Sequence, residues 1–281
     1  MTGSGSGSGA AHAHAQQMVD HDAVVESIAA AQDRSRFRFR LIFALVWVVL
    51  ILVVGGGMVL AAETDWDFVL TAGRTIIVLG APITILVSVL SIFFATILAV
   101  LGALGRLSTN PVLNGIASFY VSLIRGTPLL LQIFFIYFAL PQLGIVLPAI
   151  PAGVTALALN YGAYMTEIFR AGIQAVPRGQ REAAQALGMP ESLLMRRIVL
   201  PQAVRIVIPA IGNEFIAMIK DSALVSIITV HETLFLAQRI GRSQFQPVAA
   251  LLIAGAVYWV LTIIFSFFQA RLEQRLRRSD R

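Results

Sequence analysis

Cysteine is absent from the 281 residues, which excludes disulfides, thiol nucleophiles and thiolate metal sites. The sole lysine is Lys220, set between Ile219 and Asp221. A phosphate-wrapping loop needs Gly-Lys-Ser/Thr, so this chain holds none. His231 is the one histidine beyond the N-terminal tail, too little for a hydrolytic triad or a histidine-rich zinc site. Charge is scarce as well, at 13% of residues, against 57% hydrophobic and a mean hydropathy of +0.81. That composition lies outside the soluble globular class. An enzyme working alone is not expected, and energy for any pumping has to come from an ion gradient or another subunit.

What is abundant is uncharged apolar run. A bilayer takes about 20 largely apolar residues to cross as a helix. Six stretches are read as spans: 41–62, 79–104, 129–147, 151–165, 204–219 and 248–270. Arg34, Arg36, Arg38 and Arg40 precede the first, which places the N-terminus in the cytoplasm. Six crossings return the C-terminus, with Arg271, Arg275, Arg277, Arg278 and Arg281, to the same side. Seventeen of the 21 basic residues then lie inside, so the net charge of +6 reports orientation and no nucleic-acid surface. Residues 1–33 read as a flexible tail, "GSGSGSG" then "AHAHAQQ", with a short surface helix over 20–33; His12 and His14 in a floppy segment make no metal site. No cleavable signal peptide precedes the first span. Gly55 to Gly57 suit close helix packing, and Trp66 and Trp259 suit interfacial anchoring.

One charged segment, "REAAQALGMPESLLMRRIVLP" at 181–201, separates the fourth and fifth spans. Gln180 to Leu187 is rich in helix formers, with Ala183, Ala184 and Leu187 sharing a face. Gly188 suits the left-handed residue past a helix end. Pro190 suits the first turn of a second helix running to Val199, and Pro201 is expected to stop it. Glu182 stands beside the small residues as an acidic anchor.

The spacing Glu182-Ala183-Ala184, Gly188, Ile198-x-Leu200-Pro201 resembles the EAA signature of ABC importer permeases at every fixed position. "YVSLIRGTPLLLQIFFIYFALP" (120–141), "NYGAYMTEIFRAGI" (160–173) and "IKDSALVSIITVHETL" (219–234) resemble the polar amino acid branch of that family. The resemblance implies an all-α integral membrane protein with a five-span permease core over 63–275, a coupling loop at 177–201, an added N-terminal transmembrane helix at 34–62 and a basic tail at 276–281. It implies partners too: cytoplasmic ABC ATPases carrying ATP and Mg, an extracytoplasmic amino acid binding protein, and a second identical or similar permease in the inner membrane. No cofactor or metal falls to this chain.

Ionisable and polar groups inside spans are expensive and mark function by default. Glu167 and Arg170, one helical turn apart, form either an orienting ion pair or a gating one. Asn160 and Tyr164 share a helix face, for helix-to-helix bonding or for substrate. Pro209 and Gly212 are expected to loosen the fifth span. Glu214 then meets a substrate ammonium, with Lys220 and Ser222 at its carboxylate; the alternative is a Lys220–Asp221 pair at the outer interface. Arg125 is read as headgroup snorkelling or docking beside the coupling loop. A secondary amino acid transporter has no use for the EAA loop, and a structural membrane anchor has none for Glu214 and Lys220.

Overall fold

The computed structural model describes residue 32 and residues 35–53, 55–57 and 65–278. His12 and His14 of the expected flexible tail, the expected helix over 20–33 apart from residue 32, and the last three residues lie outside these. Met1–Glu63 and Thr64–Arg281 form two separate units. The first contains α1 (Ser35–Gly57), apolar and long enough to cross a membrane.

The second unit is helical throughout its regular structure. Its elements are α2 (Trp66–Thr75), α3 (Ala81–Leu107), α4 (Pro111–Arg125), α5 (Leu129–Phe134), α6 (Ala149–Gln174), α7 (Arg178–Ala186), α8 (Glu191–Leu194), α9 (Leu200–Asp221), α10 (Thr233–Ser243) and α11 (Pro247–Arg278). Several continue one another. Wide π-type turns at Ile76–Gly80, Phe135–Ala139 and Met195–Val199 each end one residue before an X-Pro pair, at Pro82, Pro141 and Pro201. In each, the residue before the proline donates its amide five residues back: Ala81 to Ile76, Leu140 to Phe135, Leu200 to Met195. Proline has no amide and its ring collides with the carbonyl four back, so a widened turn carries the helix through. This corrects one expectation. Pro201 stops nothing, and Glu191–Ile228 is a single helical run.

Pro209 and Gly212 do not break α9 either. Gln269 of α11 lies against Gly212 and donates to the Pro209 carbonyl at 2.6 Å, which ties α9 to α11 beside the proline. The change of helix type comes later, where α9 tightens into a 3-10 turn at Ser222–Ile228.

Among the described residues four helical runs are long and apolar enough to cross a membrane, or five if α4 with the run Leu129–Leu143 counts as one span. That pair is bent by 105° at Gly126-Thr127-Pro128, so the expected straight span over 129–147 is instead the second arm of a bent one. It ends at Gly144, with φ of 82°. The fourth expected span, α6, is 26 residues long but outside the apolar set, because Asn160, Tyr161, Tyr164, Glu167 and Arg170 dilute it. It lies at the centre of the unit, against α3, α4, α5 and α9.

Small residues let α6 sit there, since helices in lipid gain from close backbone approach. At Gly102 of α3, a Cβ would overlap the Thr166 side chain of α6, with Cγ2 at 3.0 Å. Thr166 is fully buried and donates to the Gly162 carbonyl at 2.8 Å, so it cannot swing aside freely. Beyond α9, the fully buried Glu232 caps α10 by accepting from Leu234 and Phe235 amides at 2.9 and 2.8 Å. Its carboxylate also takes the Tyr258 hydroxyl of α11 and, at 3.4 Å, that of Thr84 of α3. Three helices are held by one side chain.

The Gly102–Thr166 contact makes a testable statement. Gly102→Ala should lower stability by about 1–3 kcal/mol, the usual range for overpacking. Gly102→Ala with Thr166→Ala should recover most of it. Thermal unfolding of the detergent-solubilised protein, followed by tryptophan fluorescence, measures both.

Candidate functional site

Two places carry chemistry, at different heights along the same helices. The first is the charged loop between α6 and α9. α7 ends in a left-handed Gly188, φ 72°. The Gly188 amide bonds back to Gln185 at 2.9 Å and that of Met189 to Ala184 at 3.0 Å, the six-to-one and five-to-two pattern of a glycine-terminated helix. The turn aims α8 back under α7. Ala184, Leu194, Val199 and Ala203 bury a small core with Ile173 and Val176, and the half-buried Ile198 packs on it.

Arg181 reaches the Ile173 carbonyl at the end of α6, and Gln202 bonds Gln180 at 2.6 Å. Glu182, Ala183, Leu187, Gly188, Leu200 and Pro201 remain exposed. The expected shared face of Ala183, Ala184 and Leu187 therefore divides: Ala184 turns inward, and Ala183 with Leu187 faces out.

Above this loop, Glu167 holds two arginines. Arg170 bonds it at 2.7 and 2.9 Å, as its spacing suggested, and Arg106 of α3 joins at 3.2 Å. Arg106 also bonds Ser118 of α4. The cluster joins α3, α4 and α6, a three-helix tie that sequence spacing alone showed only in part.

The second place is a cavity of about 620 Å³ lined by Arg125, Asn160, Tyr161, Tyr164, Glu214 and Asp221 together with the Gly126–Leu129 bend. Asn160, Tyr164 and Glu214 were expected in a common path, and they line one cavity. Lys220 and Ser222 do not join them. Lys220 is exposed, and the buried Ser222 hydroxyl donates to the Ile219 carbonyl at 2.7 Å, a local helix-end bond.

The reason lies in helix periodicity. At about 100° per residue, Lys220 is turned roughly 120° from Glu214, whereas Asp221 returns to within about 20° of it. An unbroken α9 therefore puts the two carboxylates on one face. Asp221 accepts the Tyr161 hydroxyl at 2.8 Å, in place of the alternative pair with Lys220.

Arg125 belongs to this cavity too, with its guanidinium 5.0 Å from the Tyr164 ring centre. It reaches there because it closes α4, which packs against α6 and is tied to it by the Tyr120 hydroxyl, donating to the Leu159 carbonyl at 2.7 Å. Neither Arg125 nor Glu214 makes a salt bridge among the described residues. A cavity offering an unpaired guanidinium and an unpaired carboxylate is chemically suited to a zwitterion.

A larger share of the surface is plain hydrocarbon. A second cavity, about 530 Å³, between α3 and α6 is lined by Phe94, Ile97, Val154 and Ala158 and offers no ionic chemistry.

Residues 95–278 match the model of the binding-protein-dependent transport system inner membrane component family. The chain belongs to that family. Among its relatives is the L-cystine transport system permease protein TcyB of Bacillus subtilis (strain 168), 40% identical over 79% of this chain and 95% of its own length. The arginine transport system permease protein ArtQ of the same organism is 41% identical over 72% of this chain and 92% of its own. The crystal structure of an amino acid ABC transporter with histidines superposes with a TM-score of 0.72 at 39% identity, covering 75% of this chain and 99% of that one. An inner membrane component has a direct use for the exposed apolar faces of α3 and α11, which carry Phe93, Leu101, Leu104, Ile263 and Phe267.

Proposed function

We propose that this chain is the permease subunit of an ATP-driven ABC importer for a polar amino acid. It forms the translocation path and takes its power stroke through the loop at 177–201. In this reading the chain crosses the inner membrane six times, α1 being an addition to a five-span core, with both termini cytoplasmic. It pairs with an identical or similar permease, two cytoplasmic ATPases that hold ATP and Mg, and an extracytoplasmic binding protein. The cargo named for two relatives, cystine and arginine, supports the amino acid class.

The observation that carries the reading is the pairing of two features on one helical run. Glu191–Ile228 begins in the coupling loop and ends at the carboxylates of the cavity. ATP-driven approach of the ATPases, gripping the outward Glu182, Ala183 and Leu187, displaces the base of that run. Its far end carries Glu214 and Asp221, so the cavity reshapes as the loop moves. Within the cavity Arg125 takes the substrate carboxylate, and Glu214 the ammonium. Tyr161 holds Asp221 in place, while Asn160 and Tyr164 line the wall. Glu167, Arg170 and Arg106 keep α3, α4 and α6 in register while α9 moves. Ala184 and Ile198 hold the loop's own core, Gly188 its turn, and Leu200 with Pro201 the wide turn into α9.

Coupling is tested at the loop's exposed surface. Glu182→Lys should leave the permease inserted and folded while cutting transport per ATP hydrolysed by about tenfold or more, as expected when a partner contact is replaced by repulsion. Uptake and ATPase activity measured together in proteoliposomes decide this; an unchanged ratio would sink the assignment.

The path is tested on α9. Glu214→Gln should impair uptake of every transported amino acid, since one ionic contact in a desolvated site contributes about 1–3 kcal/mol. Lys220→Met, on the other face, should leave uptake near the wild-type level. Equal loss in both variants would remove the cavity from the path.

A further inference from the structure

A helix pair bent through 105° in an apolar setting leaves carbonyls at the end of its first arm without helical donors. Water cannot be counted on to satisfy them at membrane depth. Here the bend supplies some donors itself. The Gly126 amide bonds the Ser122 carbonyl at 2.9 Å, and the Thr127 hydroxyl bonds that of Leu123 at 3.0 Å. The Ile124 carbonyl has longer contacts at 3.4 Å from the Thr127 amide and hydroxyl, and its short bond comes from a side chain. Gln132, on the second arm, donates its Nε2 to the Ile124 carbonyl at 2.8 Å, the Thr127 carbonyl at 3.1 Å and the Thr127 hydroxyl at 2.9 Å.

The other end of the same amide faces the next helix. Gln132 Oε1 accepts from Asn160 Nδ2 of α6 at 3.1 Å. Both residues are 7% exposed. Asn160 lines the cavity and Gln132 does not, so Gln132 stands one layer behind the wall. On one side of it is the bend that carries Arg125; on the other is the helix that carries Asn160, Tyr161 and Tyr164. Tyr120 ties the first arm to α6 at the Leu159 carbonyl, but Gln132 bonds the bend itself and Asn160 together. A carboxylate would face two carbonyls with no donor, and an aliphatic chain would free all four bonds.

We infer that Gln132 is a positioning residue for the cavity, fixing Arg125 on the bend against the α6 wall so that guanidinium and carboxylates are held at the separation a substrate bridges. This rests on the cavity being the amino acid path. Gln132 itself touches no substrate; it acts through the bend and through Asn160.

The test uses the complete permease–ATPase complex in detergent without binding protein. Equilibrium binding of radiolabelled arginine, cystine and glutamine is measured for wild type, Gln132→Met, Asn160→Ala and the double variant. Gln132→Met keeps the length of the side chain and removes its four bonds. It should weaken binding about tenfold, as expected for loss of a buried polar tie, with assembly and basal ATPase activity unchanged. The double variant should bind no more weakly than the worse single one, because both changes cut the same link.

Wild-type binding with an unchanged affinity in Gln132→Met would overturn the positioning role while leaving the cavity reading intact. Strictly additive losses would overturn it too. A wild-type complex that binds none of the three amino acids would overturn the cavity reading and this inference with it. If Gln132→Met does not assemble, Gln132→Asn, which keeps the amide but falls short of spanning both partners, replaces it. Failure of both to assemble would make Gln132 a folding element and overturn the proposal.

Discussion

Main-chain polar groups inside an apolar layer must find partners within the protein, and the architecture of this chain follows from where that demand is hardest to meet. It is hardest at the α4–α5 bend, where a run of helix turns through 105°. A straight helix would have satisfied its own carbonyls but would have carried residues 126–129 away from the cavity they line. The bent one keeps them beside Arg125, which lies over Tyr164, and hands its open carbonyls to Thr127 and Gln132. The bend is satisfied partly from Thr127 in the cavity wall and partly from Gln132 behind it.

The same demand explains the prolines. Pro82, Pro141 and Pro201 each remove a donor from a helix that has to continue, and each is preceded by a turn widened by one residue. A widened turn keeps the backbone bonded while relieving the ring. At Pro201 the effect is mechanical. The loop that meets the ATPase in the proposed reading and the helix that lines the cavity stay one continuous run rather than two hinged pieces.

How far this was legible from sequence depends on range. The EAA loop is local, with Gly188 terminating one short helix and Pro190 opening the next, so spacing along the chain specified it. Even there, which of Ala183 and Ala184 faces out depended on packing against Leu194 and Val199, residues that belong to the second helix. The long apolar helices were equally plain from hydropathy, except that α6 hides its polar residues by lying between neighbours rather than by lacking them.

The cavity is long-range and was legible only in part. Asn160, Tyr164 and Glu214 announced themselves as polar groups in apolar surroundings. Arg125 did not, because a bend at Gly126-Thr127-Pro128 reads as an ordinary turn until its angle is known. Asp221 was misjudged for a different reason. The expectation sought a cation for the substrate carboxylate and took Lys220, whereas the helical period from Glu214 onward puts Asp221 rather than Lys220 on the same face.

That unbroken period also bears on how force travels through the molecule. A helix interrupted at Pro209 would absorb displacement of the coupling loop in its own flexing, and the cavity would feel little of it. Instead α9 runs through Pro209 as one helix, and Gln269 ties it to α11 there by lying against Gly212 and donating to the Pro209 carbonyl. Helix type changes only at the ends: the wide turn at Met195–Val199 next to the loop, and the 3-10 turn at Ser222–Ile228 just beyond Asp221. Between them Leu200–Asp221 behaves as a strut. Strain entering at the loop therefore reaches Glu214 and Asp221 together, while Arg125 and Asn160 stay tied to each other through Gln132. In the proposed importer Glu214 rides on α9 while the guanidinium stays with the α6 wall, and the Tyr161–Asp221 bond joins the two, so displacement of α9 changes the affinity of one site for a zwitterion.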